Sequence, residues 1–511
     1  MEVPRKYNAA CDFVDANVEK GNGEKAAFVD PDKSLTYGEL QTASRKIANL
    51  LRGLGLRQES RIAVLMLDTV EYPIVFWGAL RAGVVPVCLN TLLTADQYQY
   101  MLSDSRAEAL FVSSELLAMV EPVLANLPFL EHVVVAGANQ RAYENFEELF
   151  AAADEEFETA DTCADETAFW LYSSGSTGDP KGVRHVHSSP MYVARYYGRG
   201  VLGIEPEDVC FSAAKLFFAY GLGASMAVPM STGATTVLLP ERPTPSSVLD
   251  IMHRYNPTLF FGVPTLYAAM LADPECTPQN GSSSLRLCIS AGEALPENVG
   301  QTWKQRMGVD IIDGIGSTEM LHVFLSNRPD DICYGTSGRA FEGYDLRLED
   351  DEGNEPPDGD IGELLVSGGS AADGYWNQRD KSRATFEGVW TRTGDKYFRD
   401  AKGYYHYCGR TDDMFKVSGR WVSPFEVEQA LVSHPAVLEA AVVAKEDDKG
   451  LTKPKAFVVL AGDAEGEDLF EPLKAHVKTS VGAWKYPRWI DFIGALPKTA
   501  TGKIQRYKLR E

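Results

Sequence analysis

The stretch from residue 60 to residue 90 constrains the fold more than any other part of the sequence. Its hydrophobic pattern predicts a strand over Ile62 to Leu67, an amphipathic helix over Glu71 to Arg81 and a second apolar strand over Val84 to Leu89. Two strands joined by a helix run parallel, because the chain must cross over to re-enter the sheet in the same direction. The sequence therefore predicts a parallel sheet covered by helices.

The same pattern returns farther along the chain. The apolar runs TLFFGV, LRLCIS and VDIID each lead into a capping or glycine-rich turn, where open α/β sheets place their ligands. From about residue 335 short, turn-rich strands follow, and the tail alternates helices and strands. Because 511 residues exceed what one core organises, we expect an α/β fold of several domains. The expected organisation is a large N-terminal domain at 1–409 with a β subdomain at about 335–409, a linker at 410–413 and a small α+β domain at 414–511.

The charge balance limits the partners. A formal charge of −23 and a pI near 4.9 disfavour nucleic-acid binding, because the field of the protein repels phosphate backbones. The eight cysteines are scattered without a C-x-x-C pair, which is typical of free thiols in a reducing compartment. With acidic residues near the N-terminus and no apolar run of about 18 residues, we expect a cytoplasmic monomer or homodimer without membrane contact.

Ser173 to Gly182, SSGSTGDPKG, is the candidate anion-binding loop. It follows the apolar strand FWLY, so its glycines and hydroxyls are expected at the carboxyl end of a strand. Glycines allow backbone N–H groups to approach an anion, hydroxyls add donors, and Lys181 adds a positive charge. A surface hairpin of turn formers is the alternative, and the P-K-G ending favours phosphate binding. The loop is not a Walker A motif, because Lys181 follows a proline and no Ser or Thr follows it.

This loop resembles the nucleotide-binding signature of the adenylate-forming superfamily, which includes acyl-CoA synthetases, adenylation domains of peptide synthetases and luciferases. Further motifs of that superfamily follow in the same order over essentially the whole chain: SAGEALP (290–296), DGIGSTE (313–319), GYWNQ (374–378), WTRTGD (390–395), GRTDDMFKVSG (409–419) and PKTATGKIQR (497–506). The resemblance implies that a carboxylate attacks the α-phosphate of ATP, giving acyl-AMP and pyrophosphate, and that a thiol then displaces AMP. It implies ATP and Mg²⁺ as cofactors and coenzyme A as the acceptor.

The resemblance also implies roles for single residues. Thr318 matches a phosphate contact and Glu319 the Mg²⁺ ligand, where one carboxylate suffices because Mg²⁺ keeps water and phosphate oxygens as its other ligands. Lys503 matches the lysine that bridges the substrate carboxylate and the phosphate oxygens. Asp395 matches the acceptor of the ribose hydroxyls, and Arg410 a second ribose or phosphate contact. The expected nucleotide site comprises Ser173, Ser174, Gly175, Ser176, Thr177, Gly178, Lys181, Gly292, Glu293, Ala294, Asp313, Gly314, Ile315, Asp395 and Arg410.

Some of these positions also fit ordinary structural roles. Glu319 fits a helix N-terminal acid, Lys503 a solvated lysine of the tail, and Asp395 a turn cap. Ile315 stands where many relatives carry an aromatic residue, so the resemblance does not imply stacking of adenine on that side.

The C-terminal motif implies a hinge and a thiol site. Asp412 matches the residue about which the C-terminal domain rotates between the two half-reactions, so the resemblance implies that 410–413 is a hinge and 414–511 a mobile lid domain. A helix N-cap is an equally good local role for Asp412. Rotation removes the segment of Lys503 from the site. It brings the expected coenzyme A residues to the thiol's approach, namely Lys416, Ser418, Gly419 and Trp421.

The stretch KLFFAYGLG (215–223) bears on the acid that is activated. Phe218 and Ala219 stand where amino-acid-activating relatives carry an Asp that pairs with the substrate ammonium, and a buried ammonium without a partner is costly. With DGIGSTEMLH, the stretch resembles benzoate-CoA ligases, which implies an aryl carboxylate such as benzoate, anthranilate or another aminobenzoate, a hydroxybenzoate or a small heteroaryl acid. His322 either bonds a ring substituent or sits satisfied in the core. The expected ring pocket comprises Phe218, Ala219, Tyr220, Ile315, Gly316 and His322.

Three other functions remain open at this stage. A stand-alone adenylation enzyme would load the aryl acid onto a carrier protein, a luciferase-type oxygenase would share the signatures, and a scaffold would bind nucleotide without catalysis. Retention of Thr318, Glu319, Asp395 and Lys503 together argues against a scaffold. His185 and His187 lack a third ligand at zinc spacing, so a zinc site is not expected.

Overall fold

The computed structural model of the chain describes residues 3–138, 143–173, 179–417, 420–448, 450–461, 467–482, 484–498 and 504–510. Within these residues, strands form two large sheets, a five-stranded sheet and two small sheets near the C-terminus. The predicted α/β class, with a large N-terminal part and a small α+β C-terminal part, is confirmed.

The first large sheet has eight strands in the described part of the chain. Inner neighbours run parallel, and an antiparallel strand closes each edge. In spatial order the strands are Val323–Ser326, Ile311–Gly316, Leu287–Ser290, Leu259–Gly262, Val209–Ser212, Thr235–Val237, Ala26–Val29 and Ser34–Thr36. The strands predicted from VDIID, LRLCIS and TLFFGV are thus adjacent, and the turns that follow them lie at one edge of the sheet.

The second large sheet also has eight described strands and contains the predicted unit at 60–90. Strand Arg61–Leu65 pairs in parallel with Val85–Cys88, and helix Glu71–Ala82 joins them, so the predicted unit is confirmed with small differences at its ends. In spatial order the strands are Gly374–Tyr375, Lys181–Val186, Thr167–Ser173, Val85–Cys88, Arg61–Leu65, Ala109–Ser113, His132–Ala136 and Glu144–Asn145.

The remaining strands lie beyond residue 344. The five-stranded sheet, whose strands pair antiparallel, consists of Asp345–Glu349, Gly362–Ser367, Trp390–Arg399, Phe386–Glu387 and Tyr405–Arg410. The C-terminal part has a hairpin and a three-stranded sheet, made of Phe415–Val417 with Arg420–Val422, and of Val437–Glu446, Thr452–Leu460 and Trp489–Phe492.

Helices cover the sheets. The described α-helices are Tyr37–Gly53, Glu71–Ala82, Ala95–Ser105, Ser114–Leu124, Phe146–Ala152, Ser189–Val193, Ala219–Leu222, Val228–Met230, Pro245–Tyr255, Pro264–Ala272, Glu297–Met307, Arg379–Thr385, Pro424–Val432 and Phe470–Val481. Shorter helical turns occur at Cys11–Asp15, Val18–Asn22, Ala194–Arg199, Gly223–Ala227, Glu467–Leu469 and Arg506–Leu509.

The packing of helix Glu71–Ala82 explains why its sequence is almost wholly apolar. Every residue from Tyr72 to Ala82 is buried, and Trp77 stacks on Phe13 with ring centroids 5.3 Å apart. Gly78 lets helix Tyr37–Gly53 approach closely, since a Cβ at residue 78 would lie 2.4 Å from Cβ of Ile47. A helix that is apolar all round belongs inside the molecule, so this helix is buried on every side rather than amphipathic as the sequence predicted.

Candidate active site

Thr318 and Glu319 lie in the turn that follows strand Ile311–Gly316. Nε2 of His185 lies 2.8 Å from the carbonyl oxygen of Thr318, so we assign the proton of the neutral ring to Nε2. Burial lowers the pKa of His185 to about 4, which keeps the ring uncharged. The backbone N–H of Ala372 donates to the carbonyl oxygen of Glu319, also at 2.8 Å. Two segments distant in sequence thus fix the backbone of this turn.

The strand before this turn is longer than the sequence indicated. The glycine turn was expected directly after VDIID, whereas the strand continues to Gly316 and pairs antiparallel with Val323–Ser326. A Cβ on Gly316 would lie 2.4 Å from the carbonyl oxygen of His322, so the glycine serves close strand pairing rather than a turn. Asp313, Gly314 and Ile315 therefore lie on this strand.

Glu319 is the centre of a charged cluster. Tyr375 donates its hydroxyl to Oε1 of Glu319 at 2.8 Å, and Nζ of Lys181 donates to the same hydroxyl at 3.2 Å. Lys181 Nζ lies 3.8 Å from Oε1 of Glu319 and 4.2 Å from the centroid of the Tyr375 ring. Burial lowers the pKa of the Lys181 ammonium and the nearby Glu319 carboxylate opposes that shift. The structure thus brings together the predicted lysine of the anion-binding loop and the predicted Mg²⁺ ligand.

The candidate anion-binding loop connects two antiparallel strands. Ser173 ends one strand and pairs with Lys181, which begins the next. Tyr100 donates its hydroxyl to the carbonyl oxygen of Pro180 at 3.2 Å. The described ends of the loop therefore lie on the paired strands of a hairpin. The predicted residues Ser174, Gly175, Ser176, Thr177 and Gly178 lie outside the described residues.

Asp395 and Arg410, the predicted ribose-end residues, lie opposite each other on paired strands. Nη1 of Arg410 donates to Oδ1 of Asp395 at 3.1 Å and to the carbonyl oxygen of Thr393 at 2.9 Å. The Asp395 carboxylate raises the pKa of the Arg410 guanidinium above its usual range. Gly394 has a φ of 70°, and a Cβ there would lie 2.8 Å from the Arg410 side chain. A side chain at residue 394 would therefore strain the backbone and displace the Arg410 guanidinium.

Ala294 and Asp313, two of the predicted adenine-side residues, border a cleft of about 210 Å³. Residues of the large domain and of helix Pro424–Val432 share its walls, which are formed by Ala294, Leu295, Pro296, Glu297, Asp313, Gly335, Thr336, Ser337, Tyr407, Phe425 and Gln429. Gly292 has a φ of 93°, a conformation that favours glycine, and Glu293 is half-buried beside it. The cleft thus joins the SAGEALP and DGIGSTE motifs to the C-terminal part of the chain.

Asp313 is buried in this wall. Its Oδ2 accepts from the backbone N–H of Leu295 at 3.3 Å, and burial raises the pKa of the carboxyl to about 8. At neutral pH the group therefore carries a proton in the folded protein without nucleotide.

Replacing Asp313 with Asn is expected to flatten the pH dependence of stability. The pKa of Asp313 is higher in the folded than in the unfolded state. Its contribution to the free energy of unfolding is therefore fully present below about pH 4 and is lost as pH rises toward 8. Between pH 5 and 8 the free energy of unfolding of the wild type is expected to fall by up to about 4 kcal/mol, whereas that of the variant is not expected to show this fall. Thermal unfolding without nucleotide measures this, with exposed Asp161→Asn as the control. Parallel pH profiles for wild type and Asp313→Asn would contradict the assignment.

The predicted ring-pocket residues come together around His322. Nε2 of His322 lies 3.1 Å from the carbonyl oxygen of Tyr220, and the two ring centroids are 5.5 Å apart. Tyr220 donates its hydroxyl to the carbonyl oxygens of Gly262 and Ile289 at 3.2 and 3.1 Å. Burial lowers the pKa of His322 to about 4, so Nε2 carries the proton and Nδ1 is a buried acceptor without a partner in the described structure. Nε2 of His322 is thus satisfied within the core, and a bond from Nδ1 to a ring substituent stays a prediction.

Phe218 and Ile315, two other residues of the predicted ring pocket, are half-buried against the main core. Phe218 precedes helix Ala219–Leu222 and its ring is 4.4 Å from that of Phe217. Both side chains are apolar and uncharged.

Comparison with known proteins decides the family. Residues 14–376 match the model of the AMP-binding enzyme family, and residues 426–503 match the C-terminal domain of AMP-binding enzymes. The chain belongs to the AMP-binding enzyme family. The predicted membership of the adenylate-forming superfamily is confirmed.

Relatives of this AMP-binding enzyme match over their whole length. It is 58% identical over 509 residues to a 4-hydroxybenzoate–CoA/benzoate–CoA ligase of Rhodopseudomonas palustris, covering 99% of this chain and 94% of that protein. It is 54% identical to a benzoate–CoA ligase of Thauera aromatica, covering 100% and 97%. Among solved structures, the anthranilate CoA ligase AuaEII in complex with anthranoyl-AMP matches with a TM-score of 0.95 and 44% identity, covering 100% of this chain and 98% of that chain.

The C-terminal residues of this AMP-binding enzyme contact the rest of the molecule through ion pairs. Nζ of Lys416 lies 3.4 Å from Oδ2 of Asp351, in the turn after strand Asp345–Glu349, and 4.5 Å from the centroid of the Trp421 ring. Arg510 donates to the carbonyl oxygen of Asp412, the expected hinge residue, at 3.3 Å. The predicted residues Ser418, Gly419 and Lys503 lie outside the described residues.

Sequence reasoning missed three residues that shape the site. His185 and Tyr375 hold the Thr318–Glu319 turn, and neither was given this role. Asp68, just beyond strand Arg61–Leu65, accepts from the backbone N–H of Leu216 at 3.3 Å, and burial raises the pKa of its carboxyl to about 6 despite the nearby Lys215 ammonium. For Asp68, the available sequence signals were that it is a single acid just after a buried strand and that Lys215 is the single lysine of the apolar stretch KLFFAYGLG.

His187 accepts from the backbone N–H of Ala9 at 3.2 Å, and among the described residues no three His, Cys, Asp or Glu side chains form a metal-binding group. No cysteine in the structure is disulfide-bonded; Cys11 is exposed, Cys163 and Cys333 are half-buried, and the other five are buried. Of the helices that the structure describes, none is both long and apolar enough to cross a membrane.

Proposed function

We propose that this AMP-binding enzyme is an aryl-CoA ligase, an acid–thiol ligase that converts benzoate or a substituted benzoate, ATP and coenzyme A into aryl-CoA, AMP and pyrophosphate. One observation carries the proposal: a single segment, 315–322, joins the Thr318–Glu319 turn to the uncharged aromatic wall at His322. Phosphate chemistry and ring binding are thereby adjacent. Whole-length similarity to benzoate–CoA ligases supports the same reaction.

In the first half-reaction, a carboxylate oxygen of the acid attacks the α-phosphorus of ATP and the bond to pyrophosphate breaks. Two anions must meet, so donors and cations are needed where charge builds. We assign Lys181 and the loop at 173–178 to the phosphates, Thr318 to a phosphate oxygen, and Lys503 to the bridge between carboxylate and phosphate. Asp395 and Arg410 hold the ribose end, and residues 292–294 with 313–315 line the adenine.

Glu319 fits a Mg²⁺ ion that arrives with the nucleotide. A single half-buried carboxylate beside the phosphate loop is the donor set that Mg²⁺ takes with phosphate oxygens and water. When bound, the ion neutralises charge on the phosphates. This chain contributes the Glu319 carboxylate and holds it in a fixed position.

In the second half-reaction, the sulfur of coenzyme A attacks the acyl carbon and the bond to AMP breaks. We assign Lys416, Ser418, Gly419 and Trp421 to the approach of coenzyme A, and Asp412 to the hinge. In the structure Lys416 pairs with Asp351, so this contact must break if Lys416 is to meet the thiol substrate.

The pocket favours a flat acid without a positive charge. Its wall contains Phe218, Ala219, Tyr220 and a neutral His322, and no carboxylate is among these residues to pair with an ammonium. The unpartnered Nδ1 of His322 accepts a hydrogen bond from a ring hydroxyl or amino group. We therefore place benzoate, hydroxybenzoates and anthranilate in the substrate range. Free coenzyme A is the acceptor, the enzyme acts as a monomer or homodimer, and its free cysteines suit the cytoplasm.

The test is product formation across a panel of acids. Purified enzyme is mixed with ATP, Mg²⁺ and benzoate, 4-hydroxybenzoate, anthranilate, decanoate or phenylalanine, with and without coenzyme A, and pyrophosphate and thioester are measured. The proposal predicts aryl-CoA from the benzoates and little product from the last two acids. Aryl-AMP without aryl-CoA would favour the carrier-protein alternative, and light emission with oxygen would favour a luciferase.

A further inference from the structure

Tyr375 stands between two charged groups that both serve the nucleotide in the proposed function. Its hydroxyl donates to Oε1 of Glu319 at 2.8 Å and accepts from Nζ of Lys181 at 3.2 Å. A longer contact of 3.4 Å reaches Oγ1 of Thr385. The GYWNQ motif contains this tyrosine, to which the motif alone assigns no role.

The charges explain why such a group is needed. Lys181 and Glu319 are largely withdrawn from solvent, with side-chain exposures of 18% and 13%, and their charged atoms are 3.8 Å apart. Opposite charges at this distance and burial attract strongly and tend to close into a direct ion pair. A closed pair would neutralise the cation meant for the phosphates and occupy the carboxylate meant for the metal.

The backbone around Tyr375 is fixed independently of its hydroxyl. Strand Gly374–Tyr375 pairs antiparallel with Lys181–Val186, and the backbone N–H of Tyr375 donates to Oγ of Ser382 at 3.0 Å. Its ring packs against Phe386 at a centroid distance of 5.4 Å. Burial and the negative charge of Glu319 raise the pKa of the phenol, so it stays protonated and donates.

We infer that Tyr375 is a positioning residue: its hydroxyl holds the Glu319 carboxylate by Oε1 and keeps Lys181 on its own oxygen and ring face instead of on the carboxylate. A carboxylate has about four lone-pair sites, so these contacts leave capacity for a metal ion on Glu319. The inference rests on the proposed function, because it assumes that Lys181 and Glu319 serve the triphosphate and its Mg²⁺.

Tyr375→Phe tests the inference, because it deletes one oxygen and keeps the packed ring. Calorimetric titration with MgATP and with AMP compares the two nucleotides, since AMP lacks the β- and γ-phosphates and their metal. A hydrogen bond to a charged group is lost, so MgATP affinity is expected to fall about tenfold, while AMP affinity changes less than about twofold. A general structural defect would weaken both nucleotides, and equal losses or unchanged MgATP affinity would overturn the inference.

Tyr7→Phe is the matched control. Tyr7 also donates its hydroxyl to a carboxylate at 2.8 Å, that of Asp12, and neither residue belongs to the site. This variant should bind MgATP as the wild type does. The titration measures nucleotide binding and not product formation. It therefore distinguishes failure of the Tyr375 inference from failure of the proposed aryl-CoA ligase function. A wild type that binds MgATP but makes no aryl-CoA would refute the proposed function alone, and unchanged MgATP binding in Tyr375→Phe would refute the inference alone.

Discussion

Lys503→Ala is expected to slow formation of aryl-AMP by about 10² to 10³, the scale for loss of one transition-state donor. The unperturbed pKa of lysine is about 10.4, so the side chain is charged at neutral pH, and its removal leaves the attacking carboxylate and the phosphate oxygens without their bridge. The measurement is benzoate-dependent ATP–pyrophosphate exchange. Formation of benzoyl-CoA from supplied benzoyl-AMP should change little, because the lysine leaves the site before that step.

Lys498→Ala is the control from the same segment. Lys498 forms an ion pair with Glu439 and is not assigned to the site, so its loss should leave both half-reactions near wild type. After Lys503 the chain is anchored, since Arg506 binds both oxygens of Glu428 at 3.0 and 2.7 Å. The Arg506–Glu428 ion pair is expected to persist in Lys503→Ala. Equal losses in adenylation and thioester formation would contradict its assigned role.

Ala219→Asp is expected to lower kcat/KM for benzoate by about 10² or more, because an unpaired buried carboxylate costs several kcal/mol. Ala219 is 8% exposed and begins the helix beside Phe218. A negative charge there would also repel the carboxylate of the substrate. Initial rates against benzoate and against ATP measure the effect, and KM for ATP should be unchanged.

Ala219→Asn separates charge from volume in this test. Asn has the size of Asp without its charge, so it should retain more activity than Asp. At lower pH, where the new carboxyl takes up a proton, the Asp variant should approach the Asn variant. Equal activity of the two variants across pH would show that volume alone limits the pocket, and an unaffected kcat/KM would place Ala219 outside it.

Hydrophobic periodicity was sufficient to predict the class of fold. The unit at 60–90 has the predicted helix and parallel strands, since its apolar residues are buried on both faces. Strand Ile311–Gly316 shows the limit of this reasoning. Its glycines resemble a turn in sequence, but pairing with Val323–Ser326 keeps them extended, and local sequence does not specify which strand will pair.

The site itself was only partly predictable. Family motifs indicated Thr318, Glu319 and Lys181, and the last two lie together in the structure. Tyr375 links them, although it lies 56 positions from Glu319 and 194 positions from Lys181 along the chain. No local sequence pattern could indicate such a link. His185 likewise resembled half of a zinc site, whereas its neutral ring holds the carbonyl oxygen of Thr318.

The central claim is that Lys181, Glu319 and Lys503 allow an aryl carboxylate to attack ATP in a protein whose net charge is strongly negative. Incorporation of labelled pyrophosphate into ATP by the purified wild type, with and without benzoate, tests it most directly. The claim predicts exchange that requires both benzoate and Mg²⁺ and saturates with benzoate. Exchange that proceeds equally well without any carboxylate, or no exchange with any aryl acid, would contradict it.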